Sequence, residues 1–411
     1  MAQRLETTCC IAGGGPAGLM AGFLLARAGI AVIVLEKHAD FLRDFRGDTI
    51  HPSTMEVMAE LGLLQDFLKL PHQPVRELTV QFGRERIKMA DFAHLPVHAP
   101  FIAMMPQWDF LNFIADKAKA YPGFRLLMQS EATGLIHDGA QTTGVTATTP
   151  DGPIEIRARL TIAADGRDSR LRQASGLTVQ DLGAPMDVLW FRLSRQPGDT
   201  DQTQARMDAG RIFIMLNRGD YWQCAFVIAK GSNQQVRDAG IDAFRLSLRP
   251  LLPVDPARAD DIQSFDQVKL LVVQVNRLTQ WWTPGFLCIG DAAHAMSPVG
   301  GVGVNLAVQD AVATANLLAR TLKDNTLTDS DLAAVQKRRD WPTRVTQRLQ
   351  LAMQDAIIAP VLSNTGLPKL PLPLRIITSV PWLNRLPARL IGMGVRPEHI
   401  APELALSRPS A

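Results

Sequence analysis

Six residues near the start of the chain have the spacing of a loop that binds a pyrophosphate. Gly13-Gly14-Gly15-Pro16-Ala17-Gly18 fits the pattern GxGxxG. Glycine permits the tight turn and lets the backbone approach a phosphate, and the N-terminus of a following helix attracts the negative charge. Glu36 lies where an acid can accept hydrogen bonds from the hydroxyls of a ribose. These residues predict a bound FAD or NAD, because the acid would repel the 2′-phosphate of NADP.

A second group of such residues lies far along the chain, where residues 286 to 311 read FLCIGDAAHAMSPVGGVGVNLAVQDA. A buried strand would deliver Asp291 to its carboxyl end, where ligands gather in open α/β sheets. Gly300, Gly301 and Gly303 leave backbone N–H groups accessible at the start of the next helix, which suits an anion or a flavin carbonyl. The two groups together predict one large ligand that is held from both ends.

The elements that must position these residues follow an α/β pattern. The segment up to Lys37 is typical of a βαβ unit, with short apolar strands around a helix that ends at Gly29. Residues 184 to 275 instead alternate apolar and polar positions between polar turns, which is typical of an antiparallel sheet. The chain then returns to a strand and a long helix from about Asn305 to Leu322, and it finishes with helices that prolines interrupt.

The predicted fold class is therefore α/β, with an α+β insert. A Rossmann-like domain that binds the dinucleotide would comprise residues 1–74, 100–183 and 276–345. An inserted antiparallel-sheet domain that binds the substrate would comprise residues 75–99 and 184–275. Residues 346–411 would form a C-terminal helical cap.

Composition excludes several classes of function. The net charge of +3 arises from 43 basic and 40 acidic residues without a basic arm, so no nucleic acid is expected as a partner. The run Lys337-Arg338-Arg339 is interpreted as a solvated helix face. The four cysteines lack CxxC and iron–sulfur spacings, which favours a reducing, cytoplasmic location without a metal site. No run of about 18 apolar residues is present, so no integral membrane segment is expected.

The set of motifs resembles that of the class A flavoprotein monooxygenases of the para-hydroxybenzoate hydroxylase type. The similarity rests on GxGxxG at 13–18, an arginine at 46, DG at 165–166, GDAAHxxxPxGGxGxN at 290–305 and IGMGVRPEH at 391–399, in order along the chain. The resemblance implies bound FAD, NADH or NADPH as co-substrate, and O2 and a small aromatic compound as substrates. Reduced flavin would form a C4a-hydroperoxide that hydroxylates a phenolic or polycyclic ring.

The resemblance also implies which residues contact the cofactor. They are Gly13, Gly15, Pro16, Ala17 and Gly18 at the pyrophosphate, Glu36 and Lys37 near the adenosine ribose, Arg46, Gln107, Asp165, Gly166 and Asp291 along the chain of the FAD, and Gly301, Gly303, Val304 and Asn305 at the flavin ring. Pro298 would line the flavin face where oxygen reacts. On the inserted sheet, either Trp190, Arg192, Phe213 and Met215 or their alternating neighbours would face the substrate.

The general base and the exact activity are left open. His51 is the leading candidate for a base that deprotonates a phenol, Tyr221 and His294 are weaker ones, and a packing role competes for each histidine. A halogenase or dehydrogenase of the same fold and a non-catalytic FAD-binding sensor are the alternatives. Residues 359–395 would pack as a cap, with peripheral membrane contact as the alternative, and the oligomeric state is open, a homodimer included.

Overall fold

The central element is an eight-stranded sheet in the computed structural model, which describes residues 3–42, 49–363, 375 and 383–406. Strands are numbered along the chain. This sheet contains β1 (Gln3–Ala12), β2 (Val32–Leu35), β8 (Phe124–Leu127), β9 (Glu131–Asp138), β10 (Gln141–Thr149), β11 (Gly152–Ala163), β19 (Trp282–Thr283) and β20 (Phe286–Cys288). Its order is β19-β20-β11-β1-β2-β8, with β10 and β9 added beside β11. The strands from β20 to β8 are parallel, so their carboxyl ends share one edge.

The sheet forms because its strands end in apolar residues that are covered on both faces. The last four residues of β1 and all of β2 are buried, as is usual for parallel strands between helices. Helix α1 (Pro16–Arg27) has ten buried residues and packs against the long helix α8 (Gly303–Lys323). The predicted α/β fold is confirmed.

The inserted sheet has seven strands in the order β17-β13-β16-β15-β14-β5-β6. They are β5 (Glu77–Phe82), β6 (Glu85–Asp91), β13 (Met186–Ser194), β14 (Gln204–Asp208), β15 (Arg211–Asn217), β16 (Tyr221–Ala229) and β17 (Lys269–Leu271). Neighbouring strands are antiparallel except for β5 and β14. Two separate stretches of the chain, 77–91 and 186–271, thus build one sheet.

The register of this sheet corrects the predicted grouping of its side chains. Trp190 and Ile214 both pair with Ala225, so they share one face. Phe213 and Met215 lie on the other face, in a cluster with Phe244 of helix α7 (Ile241–Leu248). Trp190 and Arg192 therefore do not line the same surface as Phe213 and Met215. The prediction was wrong because the turn between β15 and β16 sets the relative parity of the strands, and alternation within one strand does not reveal it.

Two small sheets connect the larger ones. The first contains β3 (Thr49–Ile50), β4 (Gln73–Val75) and β7 (Ile102–Met104), and the second contains β12 (Val179–Asp181), β18 (Asn276–Leu278) and β21 (His294–Ala295). Thr49 of β3 donates to the carbonyl oxygen of Gly301, and β21 is part of the motif at residues 290–305.

The remaining helices surround the sheets. They are α2 (Pro52–Glu60), α3 (Leu64–Phe67), α4 (Gln107–Lys119), α5 (Arg170–Ala174), α6 (Asn233–Asp238), α9 (Asp329–Met353), α10 (Ala359–Ser363), α11 (Arg385–Gly392) and α12 (Pro402–Leu406). A π-helical turn, Gln354–Ile358, joins α9 to α10. Within the described residues, one helical stretch, Val299–Lys323, is long and apolar enough to cross a membrane, and 72% of its most apolar window is buried inside the protein.

Candidate functional site

The GxGxxG loop between β1 and α1 uses its glycines in two different ways. A Cβ atom on Gly13 would lie 2.3 Å from the carbonyl oxygen of Ala164, and one on Gly18 would lie 1.9 Å from the carbonyl oxygen of Gly13. These two glycines permit close packing of the turn. Gly15 has φ −77°, and nothing lies within 4 Å of an added Cβ. The helix begins at Pro16, so its N-terminal amides border open space at Gly15, as a pyrophosphate requires.

Glu36 is fixed beside this loop, directly after β2. It is buried, and its Oε2 accepts a hydrogen bond from the N–H of Gly14 at 3.1 Å. Its Oε1 accepts a second hydrogen bond from the N–H of His38 at 3.0 Å. Lys37 is exposed. The acid predicted to hold a ribose thus lies in contact with the predicted phosphate loop.

Asp165 follows β11 and offers an acceptor without a partner. Its Oδ2 accepts a weak hydrogen bond from the N–H of Leu171 at 3.4 Å. Its Oδ1 is buried and has no hydrogen-bond partner among the described residues. Burial raises the pKa of Asp165 above its ordinary value. Gly166 follows with φ +89°, in the region that favours glycine.

Asp291 lies after β20, and the residue before it contacts the first glycine motif. Gly290 has φ +60°, and an added Cβ would lie 2.9 Å from the Cβ of Ala17. Oδ2 of Asp291 lies 3.3 Å from a guanidinium nitrogen of Arg167. Arg172, from α5, donates to the carbonyl oxygen of Ala292 at 3.0 Å. The three motifs that the sequence separates therefore meet at the carboxyl ends of β1, β11 and β20.

A network of buried charged side chains fixes the GDAAH segment, residues 290–294, to helix α8. Asp310 of α8 accepts hydrogen bonds from the N–H of Gly290 at 3.0 Å and from Nε of Arg339 at 2.9 Å, and it lies 2.6 Å from Nε2 of His294. Arg339 also donates to Glu398 at 3.1 Å. Burial alone would raise the pKa of Asp310, but His294 and Arg339 lower it below its ordinary value.

This network corrects the interpretation of the basic run at 337–339. Lys337 is exposed, as expected. Arg339 is fully buried, and Arg338 is half-buried and donates to Glu398 at 2.8 Å. The interpretation as a solvated face was wrong because a helix presents successive residues about 100° apart, so one residue of a charged run can point into the core.

The glycines before α8 allow a close approach to the segment around β3. Gly300 and Gly301 have φ +78° and +63°, and a Cβ on Gly301 would lie 2.4 Å from Oγ1 of Thr49. The amide oxygen of Asn305 is already used within the protein, because Oδ1 accepts hydrogen bonds from the N–H of His51 at 2.9 Å and from Oγ1 of Thr54 at 2.7 Å. Gly303 begins α8, and the following Val304 is buried.

The amide of Asn305 is hydrogen-bonded on its nitrogen side as well. Nδ2 of the same amide donates to the carbonyl oxygen of Thr49 at 3.3 Å. The side chain of Asn305 thus ties the start of α8 to β3 and α2. Gly301 is bonded within the protein, since its N–H donates to the carbonyl oxygen of Pro298 at 3.0 Å, whereas the first amides of α8, from Gly303 to Asn305, have no partner within the helix. These amides belong to the part that the resemblance assigns to the flavin ring.

His51 is fully buried at the start of α2. Its Nδ1 lies 2.7 Å from the carbonyl oxygen of Ile391, and its Nε2 is buried with no partner among the described residues. Burial lowers the pKa of His51 to about 4. Of the weaker candidates for a base, Tyr221 packs against the guanidinium of Arg192, and His294 is bound to Asp310.

Of three further predicted residues, the structure describes two. Gln107 is the first residue of α4 and is half-buried. Arg46 lies outside the described residues. Pro298 is half-buried and directly precedes a short 3-10 turn, Val299–Gly301.

Sequence reasoning missed a set of buried glutamines on α9 and in the π-helical turn. They are Gln347, Gln350 and Gln354, and they donate to the segment that precedes the glycines of α8. Their spacing of three and four residues puts them on one side of a helix. That spacing was the available signal, but glutamine is more often exposed than buried.

The arrangement fits an extended dinucleotide. Two glycines close the turn and a third leaves it open, an acid is anchored beside it, and Asp165 holds an unpartnered buried oxygen. In the part of the chain that the structure describes, no group of three or more His, Cys, Asp or Glu side chains could hold a metal ion.

Comparisons with known proteins agree with this geometry. A family model described as FAD binding domain matches residues 6–349. The chain is 29% identical over 353 residues to a 6-methylpretetramide 4-monooxygenase from Streptomyces rimosus, covering 85% of this chain and 84% of that protein. It is 26% identical to a rifampicin monooxygenase from Streptomyces venezuelae, covering 73% of this chain and 61% of that protein. The solved structure of OxyS anhydrotetracycline hydroxylase from Streptomyces rimosus superposes with a TM-score of 0.75 at 22% identity, covering 96% of this chain and 77% of that one.

Proposed function

The chain belongs to the FAD-binding-domain family of flavoprotein monooxygenases, and on this premise we propose that it uses NADH or NADPH and O2 to hydroxylate a phenolic or polycyclic aromatic substrate. The observation that carries the proposal is the meeting of three motifs at one edge of the parallel sheet. Gly290 touches Ala17, and Arg167 and Arg172 join the DG segment to Asp291 and Ala292. A single extended FAD can contact all three.

The residues at this edge have distinct proposed roles toward FAD. Gly13, Gly15 and Gly18, with Pro16 and Ala17 at the helix start, would cradle the pyrophosphate, and Glu36 would bind the adenosine ribose beside the exposed Lys37. Oδ1 of Asp165 would accept a hydrogen bond from a ligand hydroxyl, and Asp291 would bind the ribityl or pyrophosphate end. Gln107 and Arg46 are proposed to approach the same cofactor. Gly301, Gly303 and Val304 would offer backbone groups to the flavin ring.

The chemistry of oxygen belongs to the cofactor, and the protein must control its surroundings. When bound, FAD would supply the redox chemistry, which is the uptake of a hydride from reduced nicotinamide and the activation of O2 for transfer of one oxygen atom. The residues of this chain must exclude water and hold the substrate near the flavin ring. One face of the inserted sheet carries the apolar side chains of Trp190, Ile214 and Leu216, with Arg192 farther along it, and Trp190 and Ile214 pack in one cluster with Val299. We propose that this face covers the substrate.

An apolar cover of this kind favours a lipophilic substrate. Burial of apolar surface is the main source of affinity for such ligands. The substrate named for one relative, anhydrotetracycline, is of the polycyclic kind. We therefore place polycyclic phenols ahead of benzoates as the substrate class.

His51 is proposed as the group that accepts a phenolic proton. Because Nδ1 faces a carbonyl oxygen, it carries the hydrogen, and the lone pair lies on Nε2. A pKa of about 4 makes this imidazole a weak base at neutral pH. Its removal is therefore expected to slow hydroxylation only moderately. The cytoplasm is the proposed location, since Cys9, Cys10, Cys224 and Cys288 are all free thiols.

The proposal is tested by measuring oxidation of NADH and of NADPH across a panel of phenols and polycyclic phenols. We expect at least one compound to accelerate oxidation and to gain the mass of one oxygen atom. Asp291→Ala serves as the control, because loss of its carboxylate should weaken FAD binding and remove the stimulated oxidation. Oxidation that yields only hydrogen peroxide with every compound would contradict hydroxylation.

A further inference from the structure

The peptide around Pro298 has few backbone hydrogen bonds of its own, and side chains from α9 supply most of them. Residues 296–298 lie between β21 and a short 3-10 turn, outside any strand or helix. Gln347, Gln350 and Gln354 are 0%, 4% and 0% exposed, and all point at this part of the chain. Buried amides in this number need partners, because each unpaired group would carry a desolvation cost.

Gln350 contacts the chain on both sides of Pro298. Its Oε1 accepts a hydrogen bond from the N–H of Ser297 at 3.2 Å. Its Nε2 donates to the carbonyl oxygens of Ser297 at 3.0 Å and Val299 at 2.9 Å. One side chain thus makes three hydrogen bonds to the residues that flank the proline.

The two neighbouring glutamines extend this contact. Gln354 donates to Oγ of Ser297 at 2.6 Å. Gln347 donates to the carbonyl oxygens of Ala295 at 3.1 Å and Asn276 at 2.8 Å. The segment from β21 to Val299 is therefore held along its length by one helix.

The same helix also contacts the inserted sheet. The π-helical turn that begins at Gln354 places Ile357 and Ile358 in a cluster with Val188 and Ile212 of the sheet, and Val299 packs against that cluster. A π-helical turn within a long helix is often found at a functional site. The helical segment that carries the glutamines thus contacts both the peptide at Pro298 and the sheet face proposed to cover the substrate.

We propose that Gln350, supported by Gln347 and Gln354, is a positioning residue that fixes the peptide on both sides of Pro298 and thereby sets the protein surface presented to the flavin. The inference rests on the proposed function and on the place at the flavin face that the family resemblance gives to Pro298. Leucine has a similar size but makes no hydrogen bond, so Gln350→Leu would free three backbone groups at once.

The test compares purified holoprotein and its Gln350→Leu variant with FAD as the only ligand. We expect the visible circular dichroism of bound FAD to change, and the Kd for FAD to rise about tenfold, as loss of a net hydrogen bond would produce. Gln350→Glu keeps the acceptor for Ser297 but loses both donors, so it should lie between the parent and the leucine variant.

The matched control is Gln336→Leu. Gln336 lies on the same helix and accepts from the N–H of Trp281 and donates to the carbonyl oxygen of Thr279, away from Pro298. This control should lower the melting temperature and leave the flavin spectrum unchanged.

A parental flavin spectrum and Kd in folded Gln350→Leu would overturn the proposal, since a merely structural role moves only the melting temperature. If that variant does not fold, Gln350→Glu and Gln354→Leu decide by the same two measurements. Because the readouts need no aromatic substrate, failure to hydroxylate would bear on the proposed function alone.

Discussion

At the scale of single residues, three glycines of one motif differ in what they contribute. Gly13 and Gly18 are required by the fold, because a Cβ on either would overlap a backbone oxygen. Gly15 has ordinary dihedral angles and open space beside it. The sequence pattern treats the three alike, so only the structure separates a glycine needed for packing from one needed for the ligand.

Gly15→Ala is therefore expected to weaken FAD binding without harming the fold. Alanine adopts these dihedral angles and reduces the entropy of the unfolded chain, so the free energy of unfolding should rise by about 0.4–1 kcal/mol. The added methyl group would occupy space beside the pyrophosphate, and the Kd for FAD should rise about tenfold or more. Thermal unfolding without FAD and a fluorescence titration with FAD measure the two effects. Gly18→Ala should lose both stability and binding, and unchanged FAD affinity in Gly15→Ala would argue against the pyrophosphate site.

Because His51 is buried in its neutral form, we expect the free energy of unfolding to fall as the pH is lowered. The folded pKa is about 4 against an ordinary value of 6.5, so between these values the unfolded chain binds a proton that the folded chain does not. This contribution to stability is complete above pH 6.5 and falls as the pH approaches 4, by about 3 kcal/mol in all.

Replacing His51 by Gln should remove this part of the pH dependence. Denaturant unfolding of parent and variant between pH 4 and pH 7 measures it, and the difference between them should shrink as the pH falls. His137→Gln, at an exposed position, is the control and should keep the parental slope. Equal slopes in the parent and the His51 variant would show that the buried imidazole is not the source.

At the scale of elements, α8 and α9 are joined by charge as well as by apolar packing. Arg339 of α9 reaches Asp310 of α8 and Glu398 near the C-terminus, all of them buried. Asp310 in turn holds Gly290 and His294. Arg339 thus links helix α9 to helix α8 and, through Asp310, to the GDAAH segment.

Arg339→Leu should destabilise the protein by about 3–5 kcal/mol, because buried Asp310 loses its arginine and buried Glu398 is left with Arg338, which is half-buried. Lys337→Leu, two positions away on the exposed side, should change the free energy of unfolding by no more than about 0.5 kcal/mol. Urea unfolding of the two variants makes the comparison. Similar free energies of unfolding in the two variants would show that the buried charged network contributes little to stability.

The elements themselves were predictable to different degrees. The βαβ unit around Gly13–Gly18 follows from short-range signals: apolar strands, a glycine turn and a helix that ends at glycine. Arg339 was not predictable, because its partners at 310 and 398 are distant in sequence. Gln350 was missed for the same reason, since its hydrogen bonds are to residues 297 and 299 on another element.

At the scale of the whole molecule, the inserted sheet has one face that packs on Val299, next to the glycines before α8, and one that packs on its own helices. Trp190 belongs to the first face and Phe213 to the second. The alternation of apolar and polar residues predicted that the sheet exists. It did not predict which residues share a face, because that follows from the pairing of Trp190 and Ile214 with Ala225.

Substitutions on the two faces should have separable effects. Phe213→Ala should lower the free energy of unfolding by about 3–5 kcal/mol through a cavity, with little change in KM for an aromatic substrate. Trp190→Ala should raise that KM about tenfold and leave the Kd for FAD at the parental value. Unfolding curves and steady-state kinetics test both. A parental KM in Trp190→Ala would indicate that the substrate lies elsewhere.

The contact between Gly290 and Ala17 also has a consequence for synthesis of the chain. Gly290 packs against Ala17 and donates its hydrogen bond to Asp310. The segment around Gly290 therefore cannot make its native contacts until the ribosome has added the start of α8. By then most of the inserted sheet, residues 186–271, has already emerged and can make its own contacts. Joining both ends of the cofactor site is a long-range step of the kind that slows folding. We therefore expect uptake of FAD to come after synthesis of this segment, because a nascent chain that stops before residue 290 lacks the residues from Gly290 to Asn305 that are proposed to bind it.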